Sequence, residues 1–245
     1  MARYQIILTY DGTEFVGSQR QLKSRTVQSE LEKALRKLNW IGKSVLMAGR
    51  TDSGVHASGQ VAAFDLDWKH SLGDLGNALN ASLPKDMAIN HVQTAPEHFH
   101  PRFDATWRLY RYRLFCHPGR DPLRERFAWR VWPLVSDLHT LAEIWKGTHD
   151  FLTFGTPPKP GNSTERTVLD AKWQLVNDEW QFEIRANAFL YHMVRKIVHA
   201  QVAVGQGRFE FEDLVRAINY QSELPSGLAP AHGLTLVEVG YDILE

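Results

Sequence analysis

The stretch Gly49-Arg50-Thr51-Asp52-Ser53-Gly54-Val55-His56-Ala57 carries the residue types best suited to chemistry in this chain. Its carboxylate, Asp52, can serve as a nucleophile or a base. Arg50 stands two residues earlier, so an extended loop turns both side chains to one side. Gly49, Gly54 and Gly59 allow positive φ or the close approach of another backbone. A loop fixed between two strands is a frequent seat of catalysis. The plainer use of an Asp among glycines is to form a turn or cap a helix, and spacing alone leaves both uses open. No Walker loop, metal-ligand spacing or Ser-His-Asp logic is satisfied in this stretch. His98 and His100 have His-x-His spacing, but no companion Cys or acidic cluster supports a metal site.

Two strands must hold that loop. Ser44 to Ala48 leads into it and Val61 to Phe64 leads away, and both runs are apolar enough to be strands. Upstream, Arg3 to Tyr10 alternates like a strand and ends at the turn signal Asp11-Gly12. Thr26 is placed to cap a helix striped by Val27, Leu31, Leu35 and Leu38, with Glu32 and Arg36 as a surface pair one turn apart. Ser71 is placed to cap a second helix, with Leu72, Leu75, Leu79 and Leu83 on one stripe before Pro84. Asp86 to Gln93 predicts a further strand. The order strand, helix, strand, strand, helix, strand is that of a ferredoxin-like α+β layer.

The second half predicts the same outline. Trp107 to Cys116 is a strand with Arg108, Tyr110, Tyr112 and Leu114 on one side and Leu109, Arg111 and Arg113 on the other. Arginines interleaved with aromatics suit bases and phosphates, and equally suit cross-strand pairs within a sheet. Ser136 predicts a helix through Leu138, Leu141 and Trp145 to Gly147. Residues 155–166 are rich in Pro and Gly and predict a mobile loop. Thr167 to Val176 and Trp180 to Arg185 predict a hairpin about Asn177-Asp178, and the run opening at Ala186 predicts a long helix to Gly205. The boundary between halves is expected between residues 104 and 105, giving 1–104 and 105–245.

Composition frames these readings. The chain has 245 residues, with 28 basic and 28 acidic side chains and a formal net charge of zero. That balance is unusual for a nucleic-acid binder. The charge is segregated, however: Arg102, Arg108, Arg111, Arg113, Arg120, Arg124, Arg126 and Arg130 face only Asp104, Asp121 and Glu125 within 101–130, whereas 205–245 is acidic. The single cysteine, Cys116, excludes an intrachain disulfide and fits a reducing compartment. No stretch is long and apolar enough for a membrane span, and the cytoplasm is the expected location.

Several of these strings together resemble the TruA family of tRNA pseudouridine synthases. The string Gly-Arg-Thr-Asp-x-Gly-Val-His-Ala at 49–57 is similar to its active-site motif. Tyr10-Asp11-Gly12-Thr13-Glu14-Phe15-Val16-Gly17-Ser18-Gln19 is similar to its opening motif, with Ser18 where the family usually has Trp. Arg25 to Gln28, Phe99-His100-Pro101-Arg102-Phe103, Leu109-Tyr110-Arg111-Tyr112, His149 to Phe154, Met193-Val194-Arg195 and His232 to Val237 match in order.

The resemblance implies two ferredoxin-like halves joined into one mixed, mainly antiparallel sheet, with helices on one side and an active-site cleft between the halves. It implies isomerisation of uridine to pseudouridine at positions 38, 39 and 40 of the tRNA anticodon stem-loop, without metal or cofactor. Asp52 would then be the catalytic residue, Arg195 its ionic partner, and Tyr110 and Leu234 the surfaces that pack the uracil. Arg50 would hold the flipped position. Phe99, His100, Pro101, Arg102 and Phe103 would meet the tRNA, with Lys159 and Arg166 as further phosphate contacts. A homodimer in which one tRNA touches both subunits is implied as well. Three other readings stand beside this one: a pseudouridine synthase on another RNA, a non-catalytic RNA-binding module, and a nucleoside hydrolase.

Overall fold

A computed structural model describes residues 1–219 and 227–241, so Glu223, Asp242 and Glu245 of the acidic tail lie outside the described residues. In chain order the elements are β1 (Ala2–Tyr10), α1 (Val27–Arg36), β2 (Leu46–Met47), β3 (His56–Leu66), α2 (Leu72–Ser82) and β4 (Met87–Thr94). Then follow β5 (Ala105–Cys116), β6 (Trp129–Val131), β7 (Gly147–Asp150), β8 (Glu165–Val176), β9 (Glu179–Ala186), α3 (Met193–Gly205), α4 (Phe211–Ile218) and β10 (Leu234–Tyr241). The fold is α+β with mainly antiparallel pairing, as the order of elements predicts. Contacts divide the chain into two compact units: Met1–Thr106 with Thr235–Glu245, and Trp107–Leu234.

In the first unit the strands run β4, β1, β3, β10. β1 pairs antiparallel with β3 and β4, β2 adds to β3, and β10 runs parallel to β3. Burial along β1 alternates, with Tyr4, Ile6, Leu8 and Tyr10 buried and their neighbours half-exposed. That is the pattern of a sheet covered on one face. Both helices begin as their sequences dictate. Thr26 and Ser71 accept the third backbone N–H of α1 and α2, and Ser29 and Asp74 return a bond to each cap. Leu31, Leu35, Leu75 and Leu79 are fully buried. Glu32 departs from the expected surface pair with Arg36. It is buried, bonds Arg20 at 2.7 Å and accepts the Val45 N–H at 3.1 Å. Arg36 lies over the Trp40 ring instead.

In the second unit the strands run β5, β9, β8, β7, with β6 parallel beside β5. The β8–β9 hairpin turns at Asn177 and Asp178, both at positive φ, as a tight two-residue turn requires. Two helix expectations are corrected here. Residues 136–147 form not an α-helix but two short 3-10 turns, His139–Leu141 and Glu143–Trp145. The Asp137 carboxylate takes the His139 N–H, and the spacing of Leu138, Leu141 and Trp145 buries equally well on 3-10 turns. The helix expected from Ala186 starts only at Met193. Ala186 completes β9, the Asn187 side chain takes the N–H groups of Thr167 and Ala188, and His192 stands at φ 65°. A left-handed residue there ends any helical run before it. Among the described residues no helix is long and apolar enough to cross a membrane.

Candidate active site

The Asp52 loop leaves β2 and enters β3, and bonds from distant residues fix its backbone. Ala48 donates to Val61 at 2.9 Å, closing the hairpin. The buried Gln60 amide then grips Gly49 from both sides, accepting its N–H at 3.3 Å and donating to its C=O at 2.9 Å. Thr51 is held three times. Its N–H donates to Ser18 Oγ at 2.8 Å, its C=O accepts the Ser18 N–H at 3.0 Å, and its hydroxyl shares a 2.8 Å bond with the Tyr10 hydroxyl. Asp52 follows directly, half-buried, and its C=O accepts the Val55 N–H at 3.2 Å. Gly12, N-terminal to Thr13, donates to His56 Nδ1 at 2.9 Å and pins the far end of the loop. The expected glycine roles appear at Gly54, with φ 79°, and at Gly59, where a Cβ would overlap the Val237 carbonyl of β10. Arg50 is exposed. The loop thus presents a carboxylate from a backbone with little freedom, which is what a positioned nucleophile or base needs.

The 99–103 loop belongs to the same unit and sorts into anchors and presented groups. Phe99 is buried against the Tyr241 ring, with centroids 5.2 Å apart, and Pro101 is buried with its C=O accepting from the Tyr241 hydroxyl at 2.8 Å. His100 Nδ1 accepts the N–H groups of Arg102 and Phe103, so that nitrogen is taken up by the turn. Phe103 is 75% exposed, with the His100 ring 4.2 Å away and Arg102 5.8 Å from its centroid. An exposed ring flanked by an imidazole and a guanidinium is a platform for stacking on a base. Among the described residues no group of three or more His, Cys, Asp or Glu side chains is placed to hold a metal ion.

The second unit carries Tyr110, Lys159, Arg166, Arg195 and Leu234. Tyr110 is buried on β5, and Phe189 meets it edge-on at 4.9 Å. Arg195, in the first turn of α3, donates from Nε to the Ala229 C=O at 2.8 Å, and Ala229 N–H returns to the Arg195 C=O at 3.2 Å. The Tyr112 hydroxyl donates to the Pro230 C=O at 2.8 Å, and burial pushes that phenol well above its ordinary value. These bonds fix the run that leads through a 3-10 turn, Ala231–Gly233, into the buried Leu234. Burial also lowers the His232 imidazole within that turn, with Glu125 opposing the shift and Arg195 adding to it. Lys159 is exposed, whereas Arg166 curls back to the carbonyls of Ser163 and Glu165.

Five arginines of the basic run pair with glutamates, two of them across strands. Arg111 lies directly opposite Glu183 and bonds it at 2.6 Å, and Arg113 bonds Glu179 at 2.6 Å. Arg124 also reaches Glu179, and Arg120 and Arg130 reach Glu125. For Arg111 and Arg113 the cross-strand reading of the sequence is therefore the one observed.

A family model described as tRNA pseudouridine synthase matches residues 6–104 and 141–242. The chain belongs to the tRNA pseudouridine synthase family. It is 41% identical over 251 residues to tRNA pseudouridine synthase A of Chloroflexus aurantiacus, covering 98% of this chain and 89% of that protein. It is 38% identical over 250 residues to tRNA pseudouridine synthase A of Limosilactobacillus fermentum, covering 99% of this chain and 97% of that one. A solved complex of Cbf5, Nop10 and Gar1 aligns with 96% of this chain and 49% of its own, at 11% identity and a TM-score of 0.36, a likeness that carries no weight.

Within this pseudouridine synthase family member, sequence reasoning named the carboxylate but missed most of what holds it. Tyr10 opens a family-like motif, and Gln60 and Phe189 stand in runs the sequence marks out, yet nothing in their spacing tells that Tyr10 and Gln60 bond the Asp52 loop or that Phe189 abuts Tyr110. Ser18 did carry a signal, as the departure from the family's Trp. The structure gives that small hydroxyl a use, as acceptor for the Thr51 N–H.

Proposed function

We propose that this chain converts uridine to pseudouridine in tRNA, at positions 38, 39 and 40 of the anticodon stem-loop. The observation that carries the reading is Asp52 within the string Gly-Arg-Thr-Asp-x-Gly-Val-His-Ala, on a loop whose backbone is bonded on both sides of the carboxylate. Family membership supports the reaction class.

The reaction breaks the bond between uracil N1 and ribose C1′, turns the base, and rejoins it through C5. The C5 proton leaves and N1 gains one, so no electrons or phosphate are exchanged. The need is a positioned carboxylate and exclusion of water, since water at C1′ would release free uracil. Asp52 supplies the carboxylate, as nucleophile at C1′ or C6 or as base towards the sugar. The family resemblance assigns Tyr110 and Leu234 to packing of the uracil and Arg195 to ionic pairing with the carboxylate. Arg50 offsets the few kcal/mol of unstacking when the base flips. His100, Arg102 and Phe103 meet the stem-loop, with Lys159 and Arg166 as further phosphate contacts. In this reading the enzyme acts as a cytoplasmic homodimer.

The test is tritium release from tRNA transcripts labelled at uridine C5, with purified protein, no added cofactor, and Asp52→Asn alongside. Release by wild type, lost in Asp52→Asn and lost when uridines 38 to 40 are replaced, is the expected result, with tRNA affinity nearly unchanged. Bound tRNA without release would sink the reading in favour of a binding module. Free uracil would point to a hydrolase.

A further inference from the structure

We infer that Ser18 is a positioning residue for the Asp52 carboxylate, an inference that rests on the reading of Asp52 given above. Ser18 is 1% exposed and lies 33 residues before Thr51, to which it makes two bonds. Its Oγ accepts the Thr51 N–H at 2.8 Å and its N–H donates to the Thr51 C=O at 3.0 Å. The Thr51 C=O shares a peptide plane with the Asp52 nitrogen, so holding that oxygen sets the plane from which the catalytic residue departs. The other side of Asp52 is tied through its C=O to Val55. The Asp52 Cα therefore sits between two fixed peptides, and its position sets where the χ1 and χ2 rotamers can place the carboxylate.

Ser18 is itself rigidly mounted. Its C=O accepts the Gln28 N–H at 2.9 Å, which anchors it to the first turn of α1. Gly17 before it has φ 79°, and a Cβ there would press to 3.0 Å of the Thr51 oxygen. That backbone turn, open to glycine, is what lets residue 18 lie against the loop. A line of hydrogen bonds thus runs from α1 through Ser18 and Thr51 to the carboxylate's own peptide. Ser18 touches no reacting atom, and its effect passes through Thr51.

The experiment compares Ser18→Ala with Ser71→Ala. The second removes the cap of α2, where Ser71 accepts the Asp74 N–H at 3.1 Å, and so loosens the fold elsewhere in the same unit. Single-turnover pseudouridine formation at saturating enzyme, the tRNA dissociation constant, and amide exchange at Thr51 are measured for each. Ser18→Ala is expected to lower the single-turnover rate by about ten-fold or more while tRNA affinity stays within about two-fold. Its Thr51 amide exchanges faster, whereas the amides of β1 and β3 keep their protection. Ser71→Ala loses stability and keeps the wild-type rate.

An unchanged rate in Ser18→Ala, or a loss no larger than in Ser71→Ala, overturns the inference, as does a change confined to tRNA affinity. Should Ser18→Ala not fold, Ser18→Cys fills the site with a somewhat larger side chain of the same branching, weakens the acceptor, and carries the same comparison. A wild type that forms no pseudouridine would count against the function itself, and Thr51 exchange in the two variants would still judge the anchor.

Discussion

Replacing Tyr10 with Phe separates what its hydroxyl contributes from what its ring contributes, and the structure sets both size and sign. Tyr10 closes β1 opposite Ala57 of β3, with its ring buried and its hydroxyl 2.8 Å from Thr51 Oγ1. Gln60 Nε2 lies 3.5 Å from the same oxygen. Burial pushes the phenol from 10.0 up to about 12, against the opposing pull of the Thr51 and Gln60 bonds. The folded pKa lies above the unfolded one, so this contribution to stability is whole below about pH 10 and is lost as pH rises through about 12. The loss amounts to about 1.4 kcal/mol at pH 11 and about 2.7 kcal/mol once both states are ionised. Tyr10→Phe has nothing to ionise and forgoes the Thr51 bond and the long Gln60 bond, together worth about 1 kcal/mol. Wild type is therefore expected to be more stable by about 1 kcal/mol near pH 8, level with the variant near pH 11, and less stable above it. Tyr112, also raised by burial, is present in both proteins and cancels from the difference. Urea denaturation midpoints of the pair, taken across this range, measure the crossing. A difference that stays constant with pH would refute the reasoning. Since both Ser18 bonds to Thr51 remain, Tyr10→Phe should also slow turnover less than Ser18→Ala does.

Two further substitutions test the proposed roles of single residues. Arg102→Ala should weaken tRNA binding and reduce the salt slope of log affinity by about one. Arg111→Ala should leave that slope alone and lower the unfolding free energy by about 1 kcal/mol, because its guanidinium is engaged by Glu183 at 2.6 Å; the opposite assignment of effects would reverse their roles. Tyr110→Phe keeps the ring that Phe189 abuts and removes only the hydroxyl. Binding should hold while turnover falls, and full turnover would leave Tyr110 a packing surface with no part in moving the C5 proton.

What the sequence made legible was local. Thr26 and Ser71 announce their helices because a cap and an apolar stripe lie within a few residues of each other, and the structure caps both as expected. Asn177-Asp178 announces its turn because few other residues tolerate two successive positive φ values. The misread segments are those where a side chain competes with the helical backbone. Asp137 takes an N–H at one, Asn187 takes two at the other, and the apolar spacing of both segments fits a helix without requiring one. Glu32 looked like a surface partner of Arg36 because an i,i+4 pair is visible in sequence. Its partners are instead Gln28, one turn back on the other side, and Arg20 and Val45, twelve and thirteen residues away.

The same limit explains why the motif around Asp52 draws attention to a carboxylate and says nothing of what holds its backbone. Gly49, Thr51 and Val55 are held by Gln60, Ser18, Tyr10 and Asp52's own carbonyl, and most of those bonds span more than ten residues. The arginine run follows suit. Within 101–130 it is strongly basic, yet Arg111, Arg113, Arg120, Arg124 and Arg130 bond Glu125, Glu179 or Glu183, two of which come from β9. Strand pairing thus turns Arg111 and Arg113 into cross-strand ion pairs, Arg124 reaches Glu179 from outside the strands, and Glu125 engages Arg120 and Arg130 within the run itself. A count of arginines along 101–130 therefore overstates the positive charge left for a polyanion, and an exposed ring such as Phe103 enters no charge count at all.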